Sequence, residues 1–375
     1  MTIYADAAKE KFAGLCAQYS PPVSYWRLGN AFDAIIDYLE NVDASAAAAA
    51  GAMVVKQYQA SLDKLGGYDH AWFDDFGWWT IATQRGLGKP FLSGVKDELT
   101  GFMTECWGRF NANAPYVWDR RAPGTFDDCG PAVIGGVWNE YWKGTAATYP
   151  GPKGADPSTG TLEGIQNTVT NAVYLIAAQR LGRTDPEAKV AADREYTFLS
   201  AWLFSEEPKL WWPLEMEGAA RVRERVSHFA SGRAAPGFQT DWAWTGDQGL
   251  ILGALVDRMS FDKANYQHLL GAAKELLNGA TMLVDGNGVL RYCTSTGTVP
   301  DGDATDYATG PGVFWRNMLY AWKNNPDLAA FLSATGYMAF VKTNADAAMR
   351  ATETTDFDIL TNQLAILVAA ATMLK

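Results

Sequence analysis

The chain has 375 residues, of which 48% are hydrophobic and 19% charged, with a formal net charge of −11. That supplies ample core material and argues against a nucleic-acid partner, because phosphate binding rests on Lys/Arg neutralisation and the longest basic run, Arg221-Val-Arg-Glu-Arg225, is broken by its own glutamate. Four scattered cysteines (Cys16, Cys106, Cys129, Cys293) lack C-x-x-C spacing and three histidines (His70, His228, His268) lack H-E-x-x-H spacing, which disfavours a disulfide framework or a zinc site.

Periodicity and punctuation predict twelve helices, at roughly 3–19, 26–42, 44–65, 74–86, 90–111, 164–182, 186–205, 246–260, 262–284, 311–324, 326–350 and 356–374. Gly66-Gly67, Gly86, Gly88 and Gly182 end helices, and Pro90, Pro186 and Pro326 sit at following starts, where a missing N–H costs nothing. Helices thus follow one another in hairpins, and the members differ. Gly249–Val256 and Ala172–Ala178 are apolar all round, as in buried helices, whereas 186–205 and 262–284 carry many charges, as in helices facing water. The alternation predicts an all-α fold, an (α/α)6 barrel of six inner and six outer helices forming a single domain over 1–375. An α-solenoid is disfavoured because the repeats are irregular and their loops long. Strand signals are short, near 132–138 and 289–293. No apolar stretch reaches the roughly 18 residues of a membrane span. The first residues lack a basic region followed by an apolar one, so the expectation is a cytoplasmic protein, or an exported one whose signal has been removed. A monomer is expected.

Two long connections, 112–163 and 206–245, are rich in aromatics, including Trp118, Trp138, Trp142, Trp211, Trp212, Trp242 and Trp244. Long connections in a compact domain are commonly functional, and this composition argues against disorder, so they are expected to wall a cleft. Seven of the 15 tryptophans fall between Trp72 and Trp142, which places the aromatic signal around the run Ala71-Trp-Phe-Asp74-Asp75-Phe-Gly-Trp78-Trp79. Adjacent carboxylates amid aromatics suit glycosidic-bond cleavage, which needs two carboxyl groups and flat walls for sugar rings. They equally suit a helix start, an acid cap followed by core aromatics.

The remaining predicted inner helices also begin with polar groups: Asn30 and Asp33; Gln166, Asn167 and Asn171; Asp247 and Gln248; Arg316 and Asn317; Asp358 and Asn362. In a closed double ring these starts share one face and form a floor suited to hydroxyl-rich ligands. Helix capping is the competing explanation, weaker for Asn171, Arg316 and Asn362, which lie beyond cap positions. Asp285-Gly-Asn-Gly288 and Asp301-Gly-Asp303-Ala-Thr-Asp306 have spacings like calcium loops but lack the full pattern, and turn chemistry explains them more simply. No metal and no cofactor is expected.

The residues resemble glycoside hydrolase family 76, the endo-acting α-1,6-mannanases. The resemblance lies in Asp74-Asp75-Phe-Gly-Trp78-Trp79, Gly135-Gly136-Val137-Trp138, Asn167-Thr-Val-Thr-Asn171-Ala172 and Gln248-Gly249, with Phe314-Trp-Arg316-Asn-Met-Leu-Tyr320 as a weaker fifth match. These run in family order over nearly the whole chain. The resemblance implies a carbohydrate substrate, cleavage with retention, Asp74 as nucleophile and Asp75 as general acid/base. Substrate contacts are expected from Trp78, Trp79, Trp138, Asn167, Asn171, Trp244, Asp247, Gln248 and Arg316. One departure stands out: Thr245-Gly246-Asp247-Gln248-Gly249 replaces the family's Tyr-Asn-Gln-Gly. Asp247 is expected to pair with Arg316, alter subsite preference or meet a cationic sugar. The alternatives are a glycan transglycosylase, a glycan-binding protein without catalysis, and an unsaturated glucuronyl hydrolase using Asp75 with Asp247 or Asp33. Sugar epimerases of this shape rely on histidines, and three scattered ones disfavour them.

Overall fold

The computed structural model describes residues 2–19, 23–65, 73–112, 136–137, 155–156, 161–162, 167–204, 210–224, 243–293, 304–351 and 354–375. Its helices are α1 (Ile3–Gln18), α2 (Tyr25–Asn41), α3 (Ala47–Leu65), α4 (Phe73–Leu87), α5 (Lys96–Asn111), α6 (Thr168–Leu181), α7 (Pro186–Phe204), α8 (Thr245–Phe261), α9 (Tyr266–Ala280), the single turn α10 (Ala304–Tyr307), α11 (Gly310–Asn324), α12 (Pro326–Ala334), α13 (Tyr337–Arg350) and α14 (Phe357–Met373). Each of the twelve predicted helices has a counterpart. Two antiparallel hairpins add strands β1 (Ala155–Asp156) with β2 (Thr161–Leu162) and β3 (Trp211–Pro213) with β4 (Ala220–Val222). Short bridges join Trp244 to Cys293 and Val284 to Leu290, where a strand signal was expected.

The ring closes. Helices α2, α4, α6, α8, α11 and α14 each pack on the next, and α14 returns to α2, while α1, α3, α5, α7, α9 and the α12–α13 pair lie outside them. Side-chain burial follows the apolar patterns. The inner α6 is buried at every residue from Thr168 to Arg180. The outer α5 buries only Leu99, Phe102, Cys106 and Phe110, a single stripe at helical spacing. Each large apolar side chain on such a stripe is worth about 1.5–3 kcal/mol, which is what ties the outer ring to the inner one.

The differences from expectation have local causes. The predicted helix 326–350 is two helices, because Thr335 is extended (φ −99°, ψ 176°) and Gly336 restarts the chain. Residues 44–46 and 90–95 open their helices as tight 3₁₀ turns. The helix expected at 262–284 is shortened to α9 because the Asp262 carboxylate accepts from the Asn265 N–H (3.1 Å) and makes a turn there. Asp285 likewise accepts from the N–H groups of Asn287 and Val289, the turn chemistry its spacing suggested. Among the described residues no group of three His, Cys, Asp or Glu could hold a metal ion, and no helix is long and apolar enough to cross a membrane. Much of the loops 112–163 and 206–245 lies outside the described residues, as do His70, Trp138, Gln166 and Trp242.

The closest helix contact explains one matched motif. A Cβ on Gly249 would sit 2.6 Å from the Phe314 Cα and 2.9 Å from its backbone N, so α8 and α11 approach backbone to backbone. Gly249→Ala forces the two inner helices apart. The expected outcome is a loss of about 1–3 kcal/mol, seen as a lower melting temperature in calorimetry.

Candidate active site

Helix α4 places Asp74 and Asp75 in its first turn, where its positive end favours acids, between the buried Phe73 and Phe76. Trp78, Ile81 and Arg85 follow at helical spacing and line the bore of the barrel with Asp33, Ile176, Arg180, Leu250, Arg316, Asn317 and Tyr320. Asp74, four residues before Trp78, lies on that stripe, and Asp75 is turned about 100° from it. The Trp26 ring, from α2, stands 6.2 Å from the Trp78 ring at a tilt of 33°. The carboxylate pair therefore sits where α4 begins, one turn before Trp78 and the stripe that lines the bore.

The electrostatics of the two ends of the barrel differ. Asp75 is held well above the ordinary carboxylate range, chiefly by loss of water, then by the charge of Asp74 and then by that of Asp306. Asp306 comes from α10 and accepts a 2.7 Å hydrogen bond from Arg27 Nη2. Arg27 Nε lies 3.4 Å from Asp358 at the start of α14. Burial lifts Asp358 to about 6, with Arg27 opposing the shift and Asp356 and Asp306 adding to it. The mouth thus carries Asp74, Asp75, Asp306 and Asp358, with Arg27 joining α2, α10 and α14. Arg27 and Asp306 were not expected. Asp306 had a sequence signal in its acidic spacing, which turn chemistry accounted for; Arg27 had none, because its partner is 279 positions away.

The amides at the helix starts bond to backbone. Val137 N–H donates to Asn171 Oδ1 (2.8 Å), and Asn171 Nδ2 donates to Val137 O (3.2 Å) and Asn167 O (2.7 Å). Val222 N–H donates to Gln248 Oε1 (2.7 Å), and Gln248 Nε2 donates to Val222 O and Trp244 O (both 2.8 Å). Gly312 N–H donates to Asn362 Oδ1 (2.7 Å), and Asn362 Nδ2 donates to Ala308 O (2.6 Å). Asn167 caps α6 through the Thr170 N–H (3.0 Å). Both ends of the Asn171 and Gln248 amides are thus engaged by backbone, as is the Asn167 Oδ1, and all three residues are buried.

Two tryptophans are likewise held within the fold. Trp79 is wholly buried, stacks on Phe102 at 4.4 Å and donates to Tyr25 O (2.8 Å). Trp244 is buried and donates to Tyr307 O (2.9 Å), fixing the segment that carries Asp306. A Cβ on Gly246 would fall 2.3 Å from the Trp244 ring, so the glycine in the departing Thr245-Gly246 pair is room for that indole. Arg316 donates to the backbone and side-chain oxygens of Asn30 and lies 3.7 Å from Asp33, which redirects the pairing expected with Asp247. Asp247 itself is wholly buried.

No protein-family model and no curated protein matches the sequence. Solved structures with this fold are found. The α-1,6-mannanase of Salegentibacter sp. HEL1_6, in an inactive variant with two consecutive aspartates replaced by asparagine and bound to α-1,6-mannotriose, is 16% identical, covers 99% of each chain and has a TM-score of 0.63. Dfg5 from Chaetomium thermophilum in complex with glucosamine is 15% identical over 99% of this chain and 90% of that one, with a TM-score of 0.62. The unsaturated glucuronyl hydrolase of Bacillus sp. GL1 is 12% identical over 97% and 96%, with a TM-score of 0.53. The chain has the α/α-barrel fold of glycoside hydrolase family 76.

Arg27 holds the Asp358 carboxyl below the value burial alone would set. Arg27→Met therefore raises that pKa above about 6, and Asp306→Asn lowers it. Carboxyl-carbon NMR titration of the two variants checks both directions.

Proposed function

We propose that the protein is a glycoside hydrolase that cleaves α-linked, mannan-type glycans within the chain, as an endo-α-1,6-mannanase with retention of configuration. The observation that carries this reading is the Asp74–Asp75 pair: adjacent carboxyls in the first turn of α4, one of them made a much weaker acid by burial and by its neighbour's charge, a turn before Trp78 and the bore-lining stripe. The consecutive aspartates altered in the inactive mannanase are consistent with it.

In this mechanism Asp74 attacks the anomeric carbon while protonated Asp75 gives its proton to the departing glycosidic oxygen. A glycosyl ester to Asp74 results. Ionised Asp75 then takes a proton from water as that water attacks the same carbon, which restores both carboxyls and the original configuration. The half-buried Trp26 indole, backed by the buried Trp78, offers an apolar face for a sugar ring, and Asp306 adds to the charges that make Asp75 a weaker acid. Among the described residues the mouth sets Asp74, Asp306 and Asp358 beside the weakly acidic Asp75 and against Arg27, a balance that repels an anionic sugar and so weighs against a uronate substrate. The same balance favours a second reading, glycan transfer on an amino-sugar-containing chain, in line with the glucosamine complex of the Chaetomium protein.

Incubation with an α-1,6-mannan backbone and a panel of other α-glycans, followed by mass spectrometry and anomeric NMR, tests the proposal. Short α-configured manno-oligosaccharides are expected; β-configured products, or no cleavage of any glycan, refute it. Asp74→Asn and Asp75→Asn should each lower kcat/KM by about 10²–10⁴-fold. Activity should fall as pH rises through the pKa of Asp75, because the acid form is lost. Asp306→Asn removes one of the charges that raise this pKa, so it moves that limb to lower pH.

A further inference from the structure

A pocket of about 340 Å³ opens at the other end of the barrel, where α6 and α8 finish and α7 begins. It is lined by Gln179, Gly182, Lys189, Ala192, Asp193, Arg258, Phe261 and Asp262, about 20 Å from the catalytic mouth along α6 at 1.5 Å per residue. Its size falls at the small end of ligand pockets, roughly 300–1,000 Å³.

Two side chains in it have polar atoms without a hydrogen bond among the described residues. Gln179 is 1% exposed, and neither its Nε2 nor its Oε1 has a hydrogen bond among the described residues. An unmade pair of this kind costs about 1–3 kcal/mol per group unless something fills it. Arg258 Nε is also without a hydrogen bond there, although the guanidinium is fixed from other sides. It lies 4.1 Å from the Tyr196 ring centroid and donates to Asp193 at 2.6 Å. Phe261 stands at the rim, 38% exposed, one of the few large apolar side chains facing water.

The charges cancel. Lys189 and Arg258 pair with Asp193, at 3.7 and 2.6 Å, and Arg258 lies 3.7 Å from Asp262. A balanced lining gives no net attraction to an ion. An amide whose donor and acceptor are unbonded among the described residues, two carboxylates and an exposed aromatic face match a neutral pyranose, which needs paired hydroxyl contacts on its edge and an apolar surface for its C–H face. We propose that this pocket is a second glycan site, binding a neutral sugar unit away from the site of cleavage; its role in holding polymer rests on the proposed function.

The test is calorimetric titration of the full-length Asp75→Asn protein with α-1,6-mannotriose, alone and with Phe261→Ala or Gln179→Leu added. Two binding sites are expected, with Phe261→Ala weakening one roughly tenfold. In the wild-type background, Phe261→Ala should slow hydrolysis of polymeric mannan several-fold and leave short oligosaccharides unchanged. One site, indifferent to both variants, overturns the proposal, as does a preference for glucosamine or glucuronate over neutral sugars. If the mouth binds no mannan but mannose, glucose or galactose still binds in a Phe261-dependent way, the pocket stands and the mannan reading alone falls.

Discussion

The arrangement depends on how the bore of the barrel is filled. Six apolar helices closed into a ring leave an axial space, and here charged side chains occupy it. Arg85 bonds to both Asp33 and Asp37, Arg316 lies against Asp33, and Asp257 accepts from Arg180 (2.8 Å), Arg183 (2.8 Å) and Tyr320 (2.5 Å). Burial alone would push Asp33 up, yet Arg85, Arg316 and Arg180 outweigh it and hold the carboxyl below its ordinary value. For Asp37 burial prevails over Arg85 and the charge of Asp33 adds to it, so that carboxyl is raised. Removing one member of such a set strands its partner, at about 3–5 kcal/mol. Geometry matters more here than net stability. Arg85 must point inward, and that fixes the rotation of α4, with Trp78 one repeat earlier and Asp74 a turn before that on the same stripe. The ionic set at depth thereby aims the carboxylates at the mouth.

A second constraint is the backbone of the segments that cross the mouth. Peptide groups arriving at a barrel rim need partners, since buried N–H and C=O groups are almost always bonded. Asn171, Gln248 and Asn362 supply them with the peptide's own chemistry, a carbonyl and an N–H side by side. Asn344 does the same from the outer ring, accepting from the Leu290 N–H (2.8 Å). These inner helix starts are therefore anchors for the rim, and among the described residues the acids, Arg27 and the half-buried Trp26 remain at the mouth.

The double ring was legible in the sequence because burial imposes two unlike patterns, apolar on all sides for α6 and α8 and striped for α5 and α13. Gly249 was legible as part of a motif but not as a contact, since the Phe314 backbone lies far along the chain. The anchor amides were visible as residues but their backbone partners were not: an amide that grips a peptide and one that grips a hydroxyl are the same letter. Arg27 and Asp306 were hidden for a plainer reason, a pairing between the second and tenth helices that no local pattern encodes. Gly246 looked like a loss beside the family pattern until the Trp244 ring accounted for the space.

The mouth lies where the ring closes, for Arg27 belongs to α2 and Asp358 to α14, the first and last inner helices. The carboxyl proposed to donate a proton is thus placed where separate parts of the chain meet, and its acidity depends on how they enclose it. Burial is the largest of the influences raising Asp75, ahead of Asp74 and Asp306. In the proposed reaction a glycan lying against Trp26 displaces more of the remaining water, and the loss of water penalises the ionised form further. Substrate binding therefore reinforces the protonation state that the proposed reaction requires. Once the leaving sugar departs, water returns beside Asp75, its ionised form is favoured again, and the same carboxylate becomes a base at the step that needs one.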